Sequence, residues 1–164
     1  MASSSNLISL KTSDGTIFEV DPALAKTMKT VQAIIDEADA DISIIPIHNV
    51  LSQHMNMIIE YYNLSVAGKA KEFSVEKLDN DDLKEFLLAV HYLNMEDLFE
   101  FLTQVVADRI EKRSVGYVRK YFGIESDFTP EEYAAIRKQN DWAFKGADIE
   151  PEEDEEKEKE EIKE

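Results

Sequence analysis

Leu7–Val20 reads LISLKTSDGTIFEV, two alternating stretches on either side of an Asp-Gly pair. In the first, Leu7, Ser9 and Lys11 alternate with Ile8 and Leu10; in the second, Thr16-Ile17-Phe18-Glu19-Val20 alternates apolar and polar. Period two puts successive side chains on opposite faces of a strand. Asp14–Gly15 lies between, and Asp-Gly is a strong hairpin signal because a type I′ turn needs positive φ. The stretch therefore predicts a β-hairpin. Asp21–Pro22 then opens a helix, since Asp caps well and Pro at the first helical position loses no needed hydrogen bond. Leu24, Met28, Val31, Ile34 and Ile35 continue at spacings of three and four, with Thr30 placed to cap a second short helix.

Residues 36–41 (DEADAD) read as a polar loop. Ile42, Ile44, Ile45 and Ile47 predict a buried strand, apolar on both faces. Pro46 restricts that strand to a sheet edge or marks its end. Leu51–Leu64 predicts a helix with Met55, Ile58, Ile59 and Tyr62 on one stripe, and residues 65–73 (SVAGKAKEF) form an internal linker. Beyond it the pattern is helical only. Leu83, Phe86, Leu87 and Val90 make one stripe, with Asp79 as its cap; Leu98, Phe101, Leu102, Val105, Val106 and Ile110 make another. Tyr117, Val118, Tyr121 and Phe122 predict a short helix stopped by Gly123. Thr129–Pro130–Glu131–Glu132 is a capping-box start for a last helix running to about Trp142. A small mixed sheet from the first part of the chain, followed by roughly five helices, defines an α+β class without βαβ alternation.

The 164 residues carry 35 acidic and 18 basic side chains, a formal charge of −17 and a pI near 4.5. Residues 148–164 hold eleven acids and three lysines, a net of −8, and the remaining 147 residues hold −9. The end of the chain, PEEDEEKEKEEIKE, has Ile162 as its one large apolar residue. It cannot bury enough surface to offset ordering its backbone, and is expected to be a disordered acidic tail. Either it only solubilises, or it is an arm for a basic partner. Such charge repels phosphate backbones and anionic lipid, so neither nucleic acid nor membrane is an expected partner. Residues 1–6 are expected to be a flexible start. No secretory h-region follows them, and the apolar runs at Ile44–Ile45 and Phe86–Val90 are far shorter than a membrane span, so a cytoplasmic and nuclear location is expected.

Chemistry is hard to place. The chain has no cysteine, which excludes disulfides and thiolate metal sites. Its five glycines are isolated, so no phosphate-cradling loop exists. His48 and His54 lie on opposite sides of a helix, and with His91 they match no common zinc spacing, so neither metal nor cofactor is expected. Solvated acids in abundance are the opposite of a tuned catalytic pair, and no catalytic residue is assigned.

Two features remain. Arg109, Lys112, Arg113, Arg119 and Lys120 form a basic island, either favouring a helix carboxyl end or making a positive collar around a groove. Tyr117, Tyr121, Phe122, Ile124, Phe128, Tyr133, Trp142 and Phe144 follow one another closely. Short helices with so many aromatics bury them in their own core or present them to a partner's helix.

These motifs carry a resemblance. DFTPEEYAAIRKQNDWAF (Asp127–Phe144) resembles closely the carboxyl-terminal motif of the S-phase-kinase-associated adaptor family, the linker subunits of Skp–cullin–F-box ubiquitin ligases. VRKYFGI (Val118–Ile124) resembles its IRKTFNI motif, and Leu87–Ile110 resembles its stretch around AANYLNIKDLL. IPIHNV (Ile45–Val50) resembles IPLPNV, and Leu10–Asp21 resembles the family's opening hairpin. The resemblance implies a BTB/POZ fold over residues 7–110, added F-box-binding helices over 111–147, and a non-catalytic adaptor joining F-box proteins to a cullin. It places the cullin contact on His91 and Tyr92. It places the F-box contact on Leu98, Phe101, Val105, Val106, Ile110, Val118, Phe122, Ile124, Trp142 and Phe144.

Three departures stand out. His91 replaces the family's Asn, and a buried imidazole there needs its own partners. Ser114–Val115–Gly116–Tyr117 replaces Thr-Pro-Glu-Glu and loses a helix-start signal. The family's internal acidic loop and the Trp-Asp before Glu72–Phe73 are missing. Alternatives to the bridging adaptor are an F-box-binding subunit of a cullin-independent assembly, or an acidic-tail chaperone for basic proteins.

Overall fold

The alternation of the opening stretch becomes two antiparallel strands, β1 (Ile8–Thr12) and β2 (Ile17–Val20), in register from Ile8–Val20 to Lys11–Ile17. The computed structural model describes residues 7–37 and 43–144, so the expectations for residues 1–6 and for the tail at 148–164 fall outside it. The chain divides into two compact units, Met1–Gln104 and Val105–Glu164.

The hairpin turn differs from the type I′ expectation. The Thr12 N–H donates to the Thr16 carbonyl and the Gly15 N–H to the Thr12 carbonyl, both at 2.9 Å. Gly15 alone is left-handed (φ 86°), while Ser13 and Asp14 keep negative φ. This is a three-residue loop, a type I turn followed by a left-handed glycine. The longer loop frees its polar groups for work elsewhere. Asp14 accepts hydrogen bonds from the Thr12 hydroxyl and, at 3.0 Å, from the Ser52 N–H. Ser13 donates both its N–H and its hydroxyl to the Val50 carbonyl, at 2.9 and 3.1 Å. Ser52 begins helix α3 (Ser52–Val66), whose own cap, Leu51, has no polar side chain. Asp14 thus supplies the missing cap from a distant segment and sets a negative charge on the helix's positive end.

Hydrogen bonds from Ser52 and Thr12 hold the Asp14 carboxyl well below the usual carboxylate range. A group with a depressed folded pKa stabilises above its unfolded value, about 3.9, and loses that contribution as pH falls toward the folded value. Asp14→Asn should therefore lower the urea midpoint at pH 6, with the gap to wild type closing below about pH 4. A gap that stays constant down to pH 2.5 would count against this cap.

Strand β3 (Ile45–Ile47) pairs parallel to β1, giving the order β2-β1-β3. Pro46 sits on this edge strand, as its missing N–H requires. The expected two-sided burial is corrected: Ile45 and Ile47 are buried, whereas Pro46 and Ile44 are exposed, and Ile42 falls outside the described residues. Helix α1 (Pro22–Thr27) is capped as expected, with the Leu24 N–H donating to Asp21 Oδ1 at 2.8 Å. Helix α2 (Lys29–Glu37) takes in the first two residues of the expected polar loop. Thr30 is not its cap. It lies in the first turn and donates its hydroxyl to the Tyr92 carbonyl at 2.6 Å.

Helix α3 extends to Val66, and the linker after it contains left-handed Gly68 (φ 71°) and a 3-10 turn at Ala70–Glu72. Helix α4 (Asn80–Leu93) starts at Asp79, whose Oδ1 accepts from the Asp82 N–H at 2.8 Å, and closes on left-handed Asn94 (φ 54°). Helix α5 spans Glu96–Ile110. Leu10, Met28, Val31, Ile47, Met55, Ile58, Phe86 and Leu93 are fully buried in the first unit. Each such side chain is worth about 1.5–3 kcal/mol relative to exposure.

In the second unit, helix α6 (Val115–Phe122) retains a start signal despite its altered sequence, because the Ser114 hydroxyl accepts from the Tyr117 N–H at 3.0 Å. Gly123 (φ 66°) stops it. Helix α7 (Pro130–Gln139) has the full capping box: the Glu132 N–H donates to Thr129 Oγ1 at 3.3 Å and the Thr129 N–H to Glu132 Oε2 at 3.0 Å. It ends three residues earlier than expected. Asn140 folds its side-chain amide onto the Ile136 carbonyl at 2.9 Å, and a 3-10 turn (Asp141–Phe144) follows.

Candidate functional site

His91 and Tyr92 occupy the last turn of α4, where carbonyls lack intrahelical partners. Thr30 satisfies the Tyr92 carbonyl, and Lys29 beside it forms an ion pair with Glu96 at the start of α5. The Asn94 N–H returns to the His91 carbonyl at 3.0 Å. Helix α2 and the left-handed cap together hold this turn in place.

The turn borders an open cleft of about 890 Å³ within the first unit. All three histidines of the chain line it: His48 from the turn after β3, His54 from α3 and His91 from α4. Their sequence spacing had kept them apart. His54 is 4% exposed, and its Nδ1 accepts from the Leu51 N–H at 3.4 Å. Burial pushes its pKa down against the opposing carboxylates of Glu85, Asp82 and Asp14. It is a neutral helix-capping group. His91 is exposed, with its ring 5.3 Å from that of Phe99. Among the described residues no group of three His, Cys, Asp or Glu side chains could hold a metal ion, and no helix is long and apolar enough to cross a membrane.

Leu88 also lines the cleft, 67% exposed, one turn before His91 and Tyr92 on the same stripe of α4. It belongs to neither of the contact sets that the resemblance implies. Its signal was present: Leu88 lies off the stripe of Leu83, Phe86 and Val90 that the fold buries. The cleft thus offers two leucines, Leu51 and the exposed Leu88, and several hydrogen-bonding side chains, suited to holding a protein surface.

The ten residues assigned to the second contact separate by exposure. In the first unit Leu98 is fully buried, and Phe101 is half-buried with its ring 5.7 Å from Phe73, which meets Tyr61 edge-on at 5.3 Å. That surrounding burial raises the Tyr61 pKa, with Asp97 adding to it. In the second unit Val106 is buried, and Val105, Ile110 and Val118 are half-buried. Phe122 (45%), Ile124 (57%) and Trp142 (74%) are exposed, as is Phe128, a residue the assignment left out. Phe144 lies in the terminal 3-10 turn. Tyr121, by contrast, is buried, with ring neighbours Tyr117 at 6.3 Å and Phe122 at 5.0 Å. The aromatics therefore do both things the sequence allowed: some form core and others face outward.

The basic island is interleaved with these rings. The Arg113 guanidinium lies 5.1 Å from the Tyr117 ring centre, and that of Arg119 lies 5.4 Å from Tyr133. Arg119 also donates to Ser126 Oγ at 3.3 Å, tying α6 to the loop before α7.

Comparison with known proteins bears on both surfaces. Residues 6–66 match the Skp1 family tetramerisation domain, a POZ fold, and residues 96–143 match the Skp1 family dimerisation domain. The chain is 39% identical over 148 residues to SKP1-like protein 14 of Arabidopsis thaliana, covering 86% of this chain and 99% of that relative. It is 38% identical over 151 residues to SKP1-like protein 11 of the same plant, with the same coverage. Against SKP1-like protein 1 of Oryza sativa subsp. japonica it is 35% identical over 165 residues, covering 84% of this chain and 95% of the relative. The small sheet and the helices after it are the POZ-like α+β architecture expected from the sequence. Members of this family are non-catalytic adaptors of ubiquitin ligase complexes. Both family segments in order, and relatives matched over almost their whole length, show that the chain belongs to the Skp1 family.

Proposed function

We propose that this chain bridges F-box substrate receptors to a cullin scaffold. The POZ part, residues 7–110, faces the cullin through His91, Tyr92 and Leu88, and residues 111–147 hold the F-box. The observation that carries the reading is the exposure of Phe122, Ile124 and Trp142 at positions where the family motif places partner contacts. Large apolar side chains gathered on one small unit mark a protein-binding surface. The chain's contribution to ubiquitin transfer is then geometric, raising the effective concentration of a bound substrate near the scaffold.

Co-expression of the full chain with an F-box domain tests the first half, and the two should co-purify. Tyr92→Glu should abolish recovery of a cullin amino-terminal domain while leaving the F-box bound. Loss of both partners from that variant would refute two separate surfaces. The exchange of the family's Asn for His91 favours a second reading, an F-box-binding subunit of an assembly without a cullin. Recovery of F-box proteins but no cullin by the unaltered chain is the result that reading expects.

A further inference from the structure

We propose that the acidic carboxyl-terminal segment, residues 148–164, is an internal ligand of the second unit, docking on the cationic, aromatic face of α6 and α7 and yielding it when a partner helix binds. The competition half rests on the F-box reading above; the docking half does not.

The charge division points to this face. Residues 1–104 carry a net −10 and residues 148–164 a net −8, while residues 105–147 hold eight cations against seven acids, a net +1. The first unit repels the segment, and the second does not. Arg113, before α6, and Arg119, on it, lie against tyrosine rings, and Lys120, next in sequence to Arg119, is exposed. Stacking engages the face of a guanidinium, whereas carboxylates are bound by its edge, so the two contacts are compatible. A side chain already held by a ring loses less freedom on pairing.

Connectivity supplies the rest. The segment follows the Asp141–Phe144 turn on this same unit. Twenty residues reach up to about 65 Å when extended, about four times the ~15 Å length of a ten-residue helix. Tethering at this range gives local concentrations in the millimolar region. Individual exposed ion pairs are weak and screened by salt, so such a ligand is displaceable. Phe122 and Trp142, proposed as partner contacts, are exposed on the same small unit, and the competition proposed here is for that surface.

The chain has one tryptophan, Trp142, and no cysteine, which permits a test in the full-length protein. A tryptophan-quenching nitroxide is attached at Glu156→Cys. Emission from Trp142 should be quenched at least twofold in 50 mM NaCl and recover in 500 mM NaCl. It should also recover in low salt when Arg119→Gln and Lys120→Gln are added, with unchanged far-ultraviolet circular dichroism. Equal quenching at both salt concentrations, or quenching indifferent to the two replacements, overturns the docking. For the competition, the affinity of an F-box domain is measured for the full chain and for the full chain with its eleven tail acids changed to Gln or Asn. The neutralised chain should bind five- to tenfold tighter in 50 mM NaCl and equally in 500 mM NaCl. Equal affinities in low salt overturn the competition. Failure of both chains to bind any F-box domain sinks the F-box reading and with it the competition, whereas the quenching result decides the docking by itself.

Discussion

Leu98→Ala should destabilise the chain by about 2–5 kcal/mol, a large part of the 5–15 kcal/mol typical of a native domain. Leu98 has no exposed surface, and it sits in the first turn of α5 with Leu102, equally buried, one turn further on. Truncation removes the transfer free energy of the lost methyl groups and leaves a cavity that a packed interior refills only in part. The measurement is the urea midpoint and slope followed by circular dichroism. Leu98→Met, which nearly conserves volume, should cost less than about 1.5 kcal/mol. An alanine variant within 1 kcal/mol of wild type would show that this part of α5 relaxes freely, and would remove Leu98 from the core. A partner should still be held by whatever fraction of the alanine variant remains folded, because the buried side chain offers a partner no surface. Its role is to position α5.

Trp142→Ala should do the opposite, leaving stability within about 0.5 kcal/mol, as surface substitutions do, while weakening an F-box domain about 30-fold or more. At 74% exposure the indole has little native burial to lose. Aromatic anchors that become desolvated at the centre of an interface dominate binding, and tryptophan is the most enriched of them. Titration calorimetry with the co-purified F-box domain, beside a thermal melt, separates the two effects. A dissociation constant within threefold of wild type would place the interface elsewhere on the unit. A melting temperature lowered by many degrees would show that Trp142 is a core residue. The pair of variants thus divides one set of motif residues into positions that build the surface and positions that form it.

Much of this was legible in local pattern. Asp21–Pro22, Asp79 and Thr129–Pro130–Glu131–Glu132 cap the helices they announce, because a cap is a contact between a side chain and a backbone N–H three residues on. The stripes of α3, α4 and α5 followed from apolar spacing, and Pro46 placed β3 at an edge. What escaped were pairings across long stretches of chain. Thr30 looked like a cap and instead bonds a carbonyl 62 residues away; Asp14 looked like half of a type I′ turn and instead caps a helix 38 residues later. Side chains with two possible partners are assigned by whichever partner the fold delivers, and local sequence does not carry that information.

The sequence by itself determined the α+β class, the order of hairpin, edge strand and helices, and the family. Periodicity, capping and motif order are short-range properties that survive without knowledge of packing. The tertiary structure alone decided that three histidines with unrelated spacings line one cleft, and that Leu88 stands exposed beside His91 and Tyr92. It also decided that, among ten similar apolar residues, Leu98 is sealed inside while Trp142 faces solvent. Hydrophobic residues obey the same spacing rules whether they meet their own core or await a partner's. Only the presence or absence of packed neighbours tells them apart.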